Sequence, residues 1–256
     1  MRTVILVHGF WHGTWCWSPV TARLAARGVP SVAVDLEGHG LRAKRAGNPV
    51  DTLIEDIRLI GGGEPCVVVA HSMAGAVATI AAEREPSLFE HLMFVAAFAP
   101  VTGPVIDYFM SPENAGEMVN RLLSGDPAET GVMRVAADPE QIRETFYHDV
   151  DPDTSDAAMG LLTADAPAAI TVADPGVTRE RFGAVPHSYV VCAKDNAVPA
   201  ALQRRFVRDL DEVSAAPTTV VELDAAHSPF LSHPDELTAA IAGVSYPDGR
   251  RSSPHW

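Results

Sequence analysis

A serine at an abrupt change of sequence pattern is the first residue that could do chemistry. The apolar run 66–70 has the composition of a buried β-strand, and a helix-like stretch begins directly after Ser72. The segment approximates the pattern G-x-S-x-G, with Ala70 and Ala74 in place of the outer glycines. Small residues there let a helix begin close to the strand end, so Ser72 would project from the turn as a nucleophile. The alternative is that Ser72 only caps the helix.

A nucleophilic serine needs a base and an acid that orients the base, and both have candidates downstream. Asp195 follows the strand-like run 188–193, and His227 follows the run 218–223. Serine, acid, histidine is the chain order in hydrolases with this serine motif. Because open parallel sheets place their sites at the carboxyl ends of strands, we expect the three side chains to meet. Asp224 is a rival for the acid, but Asp195 is preferred because it ends a separate strand.

Candidate donors for an oxyanion lie in a glycine-containing loop and beside the serine. The short β-rich run 3–7 is followed by His8 and Gly9, and glycine lets the backbone approach a substrate closely. We therefore predict that the backbone N–H groups of Phe10 and Met73 bind the oxyanion.

Together these motifs resemble the α/β-hydrolases, and within them the small plant-type methylesterase and hydroxynitrile lyase group with its bacterial esterase relatives. The similarity covers roughly residues 3–242 and includes Trp15, Trp17, the stretch 35–40 and the stretch 227–230. It implies an α/β-hydrolase fold and a Ser72-His227-Asp195 triad, with Phe10 and Met73 as the oxyanion donors.

Two positions distinguish the chain from the lyases of this group. The lyases are similar but carry threonine at the position of Gly9 and lysine directly after the catalytic histidine, where this chain has Ser228. Release of cyanide needs that positive charge, so we expect a cofactor-free serine hydrolase that cleaves an ester or related acyl bond of a small, partly apolar substrate. A non-hydrolytic C–C lyase or cyclase acting on natural products, or a hydrolase-like small-molecule receptor, stays open as an alternative.

Composition limits the other functions. The chain has 256 residues, 47% of them hydrophobic, and a formal net charge of −14, which disfavours nucleic acid and anionic membranes as partners. No apolar run is long enough for a membrane span, and the first residues already read as a core strand, so we expect a cytoplasmic protein without a signal peptide. We also expect no cofactor and no metal, because His8 and His12 lie in a loop without a metal-binding motif. A homodimer is left open.

The order of strand-like and helix-like runs predicts a six-stranded, mostly parallel sheet flanked by helices. Strands are predicted near 3–8, 30–35, 66–71, 91–97, 187–193 and 218–223. Helices are predicted near 17–27, 50–60, 73–84, 198–211 and 233–243. The hydrolase core would comprise 1–103 and 186–244, followed by a tail at 245–256.

Residues 104–185 show no strand pattern and are too many for a plain loop. We predict a helical cap there, with helices over 114–123, 139–148 and 154–162. Apolar residues of the cap and of the first loop would shape the substrate pocket. The predicted substrate-binding residues are Gly9, Trp11, Tyr108, Phe109, Phe146 and Met159.

Overall fold

The computed structural model describes residues 2–45 and 47–245. This part of the chain contains nine strands, β1 to β9, at Val4–Val7, Ser31–Val34, Cys66–His71, Phe89–Val95, Leu123–Ser124, Val132–Val135, Asp165–Pro167, His187–Cys192 and Thr219–Leu223. The same residues form ten α-helices, α1 to α10, at Ser18–Ala26, Pro49–Gly61, Ala74–Arg84, Val105–Phe109, Pro127–Thr130, Pro139–Phe146, Pro152–Met159, Ala200–Val213, Pro229–Ser232 and Pro234–Ser245. Short 3-10 helices span Thr14–Trp17, Gly40–Arg42, Pro86–Leu88, Pro112–Asn114, Val119–Leu122, Ala168–Val172 and Phe182–Ala184.

Six strands form one parallel sheet in the order β2-β1-β3-β4-β8-β9. The predicted six-stranded parallel sheet is confirmed, and so are its six strands to within a few residues. β3 lies beside β1, with Val7 paired to Ala70. This register brings the loop after β1 next to the turn after β3, because parallel strands end at the same edge of a sheet.

Both faces of the sheet are buried at its central strands β1, β3 and β8, which explains their valine-rich sequences. Successive side chains of a strand point to opposite faces. Ile5 and Val68 therefore contribute to the cluster that includes α2, α3 and α8, whereas Leu6 and Val69 contribute to the cluster that includes α1 and α10. The central strands β3 and β8 are buried at every residue. This packing fixes the carboxyl edge of the sheet, where the candidate site lies.

The chain between β4 and β8 contains helices α4 to α7 and a second, three-stranded antiparallel sheet in the order β5-β6-β7. Two predicted helices of this segment correspond to α6 and α7. The prediction of a helix over 114–123 is wrong, because these residues form parts of two 3-10 helices and enter β5. The expectation that the segment contains no strand is also wrong. Its strands are two to four residues long, too short to leave an alternating pattern.

The domain boundaries inferred from the sequence stay a prediction. The predicted tail, 245–256, lies outside the described residues except for Ser245, which ends α10. No helix in residues 2–45 or 47–245 is long and apolar enough to cross a membrane.

Candidate active site

Ser72 lies on the sharp turn between β3 and α3. Its φ of 53° is unusual for a residue other than glycine and indicates local backbone strain, which is often found at functional sites. Its backbone is held by the chain after β4: Ser72 N donates to Val95 O at 3.2 Å, and Phe98 N donates to Ser72 O at 3.1 Å. The side chain of Ser72 does not cap α3, because the N-cap residue is Met73 and no side chain bonds there.

Gly75, rather than the two alanines that replace glycine in the serine motif, provides the space for this turn. A Cβ atom on Gly75 would lie 2.2 Å from the carbonyl oxygen of Phe98 and 2.9 Å from Cβ of Ala97. The first turn of α3 therefore approaches the chain after β4 more closely than any residue with a side chain allows. This role of Gly75 was not predicted from the sequence, although the glycine directly follows the motif.

Ser72, His227 and Asp195 come together from three separate strand ends. Nδ1–H of His227 donates to Oδ2 of Asp195 at 2.8 Å, and Nε2 of His227 lies 3.0 Å from Oγ of Ser72. His227 and Asp195 are both buried. The rival acid, Asp224, points away: its side chain is 77% exposed and pairs with Nζ of Lys194 at 2.7 Å. The geometry therefore favours Asp195 as the partner of His227.

The carboxylate of Asp195 is held by three further donors. Oδ1 accepts from the backbone N–H groups of Ala197 at 2.7 Å and Val198 at 2.9 Å. Oδ2 accepts from Nε2 of Gln203 at 3.1 Å, in addition to the bond from His227. Gln203 is fully buried on α8. Gln203 was not predicted as a site residue, although a glutamine among the apolar residues Leu202 and Phe206 indicates a buried polar contact.

Two neighbouring histidines support the loops of the site. Nε2–H of His71 donates to the backbone oxygen of His227 at 2.8 Å. Nδ1–H of His8 donates to the oxygen of Gly9 at 2.7 Å, while its Nε2 accepts from Leu36 N at 3.1 Å. Burial lowers the pKa of both imidazoles well below their usual value, so both are neutral. These contacts are those of positioning groups and not of proton carriers.

His12 performs the same task for the loop after β1. Its Nδ1–H donates to the oxygen of Phe10 at 2.8 Å, and its Nε2 accepts from the hydroxyl of Tyr147 at 2.7 Å. Burial lowers the pKa of His12 to about 3. Within the described residues, no group of three or more His, Cys, Asp or Glu side chains is arranged to hold a metal ion.

The loop after β1 presses directly against Ser72. A Cβ atom on Gly9 would lie 2.5 Å from Cβ and 3.1 Å from Oγ of Ser72, so only glycine fits. In the described part of the chain, the backbone N–H groups of Phe10 and Met73 have no hydrogen-bond acceptor. Both residues line the cavity at Ser72, so two free donors lie beside the candidate nucleophile.

Trp11 connects this loop to the segment between β4 and β8. Its Nε1 donates to Met133 O on β6 at 2.8 Å, and its own carbonyl oxygen accepts from Thr163 N at 2.8 Å. Trp11 has a φ of 62° and is 4% exposed. The contacts at both ends hold this strained residue in place.

A small, largely apolar cavity adjoins Ser72 and His227. Of the predicted substrate-binding residues, Trp11, Phe109 and Phe146 line it. Several further lining residues were not predicted from the sequence: Phe98, Asn114, Glu117, Val119, Asn120, Met133, Ala197 and Val198.

The other predicted substrate-binding residues lie outside the cavity wall. Gly9 lies behind Ser72. The hydroxyl of Tyr108 pairs with Oγ1 of Thr102 at 2.8 Å, and its ring packs on Phe206. Met159 packs against the main hydrophobic core. Tyr108 and Met159 were predicted from their place in the inserted segment, and packing within the protein takes up their side chains.

Comparison with known proteins identifies the family of the chain. The sequence pattern of the Alpha/beta hydrolase family matches residues 4–240. The chain belongs to this family. The predicted resemblance to the methylesterase group is confirmed as well, and the chain is an esterase-like α/β-hydrolase.

Family relatives match over nearly their whole length. The chain is 29% identical to Methylesterase 7 of Arabidopsis thaliana over 258 residues, which cover 95% of this chain and 96% of that protein. It is also 29% identical to Methyl jasmonate esterase 1 of Vitis vinifera over 263 residues, again 95% and 96% of the two chains. The solved structure of a pyrethroid hydrolase from Sphingobium faniae JZ-2 has a TM-score of 0.79, with 21% identity over 97% of this chain and 99% of that one. The structural likeness shows the shared fold.

Proposed function

We propose that the chain is a carboxylic ester hydrolase that cleaves an ester or related acyl bond of a small, partly apolar substrate. Ser72 is the nucleophile, His227 the general base and Asp195 the orienting acid. The observation that carries this proposal is the continuous series of contacts from Oδ2 of Asp195 through His227 to Oγ of Ser72, at 2.8 Å and 3.0 Å.

In the first half of the reaction, Oγ of Ser72 attacks the carbonyl carbon while Nε2 of His227 takes the hydroxyl proton. Asp195 holds the imidazole with Nδ1–H toward its own carboxylate and stabilises the imidazolium that forms. The free N–H groups of Phe10 and Met73 bind the developing oxyanion. Loss of one such donor typically lowers the rate about 100- to 1000-fold.

In the second half, His227 returns its proton to the leaving alcohol, and the acyl group stays on Ser72. A water molecule then attacks the acyl-enzyme as Nε2 of His227 takes a proton from the water. Collapse of the tetrahedral intermediate releases the carboxylic acid and restores the hydroxyl of Ser72. No cofactor enters either step.

The chemistry of the cavity and the relatives both support an ester substrate with an apolar part. Aromatic and aliphatic side chains dominate the wall, among them Phe98, Phe109 and Val119. The two plant relatives carry the names of a methylesterase and a methyl jasmonate esterase. We therefore expect a methyl or other small-alcohol ester of an apolar acid.

Labelling of the nucleophile tests the proposal. The wild-type protein is treated with a fluorophosphonate and its peptides are analysed by mass spectrometry, in parallel with hydrolysis of para-nitrophenyl butyrate. We expect the adduct on Ser72, and a loss of turnover of about 10⁴- to 10⁶-fold in Ser72→Ala.

Three outcomes would contradict the proposal. Full esterase turnover in Ser72→Ala would exclude this mechanism. Turnover of a non-ester substrate without any acyl-enzyme would indicate lyase or cyclase chemistry. Tight retention of a ligand with single turnover would indicate a receptor.

A further inference from the structure

One turn of the inserted segment contacts three loops of the proposed active site. We call this turn the clasp; it comprises residues 144–149, which are the end of α6 and the three residues after it. Hydrogen bonds connect the clasp to the loop after β1, the loop after β8 and the loop after β9. These loops meet at the carboxyl edge of the parallel sheet, so a single turn can bridge them.

Two of the contacts support the loop after β1 and the acid. The hydroxyl of Tyr147 donates to Nε2 of His12 at 2.7 Å. Nδ2 of Asn196, the residue after Asp195, donates to the carbonyl oxygen of Glu144 at 2.9 Å. Because the carboxylate of Asp195 also accepts from two backbone N–H groups and a glutamine, the acid does not depend on the clasp alone.

The contact with the histidine loop has no such reserve. The backbone N–H of Ala226, a buried residue directly before His227, donates to Oδ2 of Asp149 at 2.7 Å. No other acceptor bonds to this N–H in the described part of the chain. The carbonyl oxygen of His227 accepts from Nε2 of His71 at 2.8 Å. Asp149 and His71 therefore hold the backbone on both sides of the imidazole, and the bond to Asp149 is the stronger type because its acceptor is charged.

The surroundings of Asp149 do not explain its carboxylate as part of an ordinary ion pair. The side chain is 15% exposed, and among the described residues it pairs with no lysine or arginine. The titratable group beside it is His233, whose Nδ1 lies 3.5 Å from Oδ2 of Asp149 and 2.9 Å from Oγ of Ser232. Burial of a carboxylate is costly, so a carboxylate directed at the backbone before His227 indicates a specific task.

We propose that Asp149 is a positioning residue for His227: its carboxylate holds the backbone before the imidazole, so that Nε2 stays within reach of Oγ of Ser72. This inference rests on the proposed function and deepens it, because it gives the inserted segment a part in turnover besides its part in the cavity wall. A small displacement of the base from the nucleophile is costly in rate.

Three variants of the full-length protein test this role. Asp149→Leu keeps the approximate size but removes the acceptor, so kcat for para-nitrophenyl butyrate should fall about 10- to 100-fold, with KM within about twofold of wild type. Asp149→Asn keeps an oxygen that can accept from Ala226 N–H, so its kcat should stay within about threefold of wild type. Asp153→Leu, the same exchange at an exposed aspartate of the inserted segment, is the control and should leave kcat unchanged.

The rate at which a fluorophosphonate labels Ser72 should follow the same order. Because this rate constant does not depend on the amount of folded protein, partial loss of folded protein cannot imitate the effect. Labelling of Asp149→Leu at the wild-type rate would overturn the inference. Equal losses in Asp149→Asn and Asp149→Leu, or a change confined to KM, would overturn it as well.

Proton NMR separates this inference from the proposed function, because it needs no substrate. The Nδ1–H proton that His227 donates to Asp195 should give a downfield resonance, identified by its absence in His227→Gln. The resonance should persist in Asp149→Asn and broaden beyond detection in Asp149→Leu. If no ester is hydrolysed but this pattern is seen, only the esterase function is wrong. If esters are hydrolysed, and the resonance and the labelling rate are unchanged in Asp149→Leu, only the positioning role is wrong.

Discussion

The proposed triad and the inserted segment border the same cavity but are built in different ways. Asp195 is held by four hydrogen bonds, and it fixes His227, which in turn reaches Ser72. The inserted segment supplies part of the cavity wall, including the apolar side chains of Phe109, Val119 and Met133. The hydrogen bonds of the core site are in place before a substrate arrives, whereas this part of the wall offers a substrate apolar surface.

This difference separates reactivity from selectivity. Groups that act on the carbonyl must be held in one geometry, because a small displacement of a reacting atom is costly in rate. Residues that select a substrate need only present a fitting surface. The parallel sheet provides the rigid frame for the first task, and the insertion after β4 provides part of the surface for the second.

The largest expected effect outside Ser72 comes from loss of the orienting acid. Asp195→Asn should lower kcat about 10⁴-fold, because the amide no longer holds the imidazole in the required tautomer. The matched control is Asp224→Asn, which changes an exposed aspartate three residues before His227. Its kcat should stay within about twofold of wild type, since exposed ion pairs contribute little. A large loss in Asp224→Asn with a small one in Asp195→Asn would reverse our assignment of the acid.

A smaller effect is expected from the glutamine behind the acid. Gln203→Met keeps the volume but removes the donor to Oδ2 of Asp195, a hydrogen bond to a charged group. We expect kcat to fall about tenfold, and KM for para-nitrophenyl butyrate to change little. Gln141→Met, on the exposed face of α6, is the control. An equal fall in kcat for several acyl chain lengths is the sign of a positioning residue, and a change confined to KM would argue against that role.

The last prediction concerns stability, with no expected effect on turnover, and lies at the amino end of β8. His187 begins β8, and burial lowers its pKa from the ordinary 6.5 to about 3. Between these values the unfolded chain binds a proton that the folded protein does not, so the free energy of unfolding decreases as the pH falls below 6.5. One such histidine accounts for about 2 kcal/mol between pH 7 and pH 5.

His187→Phe isolates this contribution. Urea unfolding at pH 7 and pH 5 should show a smaller difference between the two pH values than in wild type, by about 2 kcal/mol. Esterase activity at pH 7 should be unchanged, because His187 is remote from Ser72 in the parallel sheet. An unaltered pH dependence would mean that His187 is not a neutral buried base in the folded protein.

The six strands of the parallel sheet could be predicted from the sequence for a physical reason. The central strands of the sheet are buried on both faces, so each is a nearly unbroken apolar run between turn residues. Ser72, Asp195 and His227 could be found because each directly follows such a run. The meeting of these three side chains follows from the topology of a parallel sheet.

The surroundings of the site could not be predicted in this way. Strands β5 to β7 are too short to show an alternation of apolar and polar residues. The 3-10 conformation at Asn114 depends on contacts between residues that are distant in the sequence. Tyr108 illustrates the limit: an aromatic residue at the start of the insertion is equally suited to a pocket wall and to packing on Phe206. Only the three-dimensional arrangement decides between the two.

Trp11 couples the position of the loop after β1 to that of the inserted segment. Its ring nitrogen and its carbonyl oxygen are both anchored in the inserted segment, at Met133 and Thr163, while the adjacent Phe10 presents a free N–H beside Ser72. A substitution that shifts β6 should therefore also shift the loop that carries the proposed oxyanion donor Phe10. Exchanging the inserted segment for that of a relative would alter turnover along with substrate preference, unless the two anchoring contacts of this tryptophan were carried across with it.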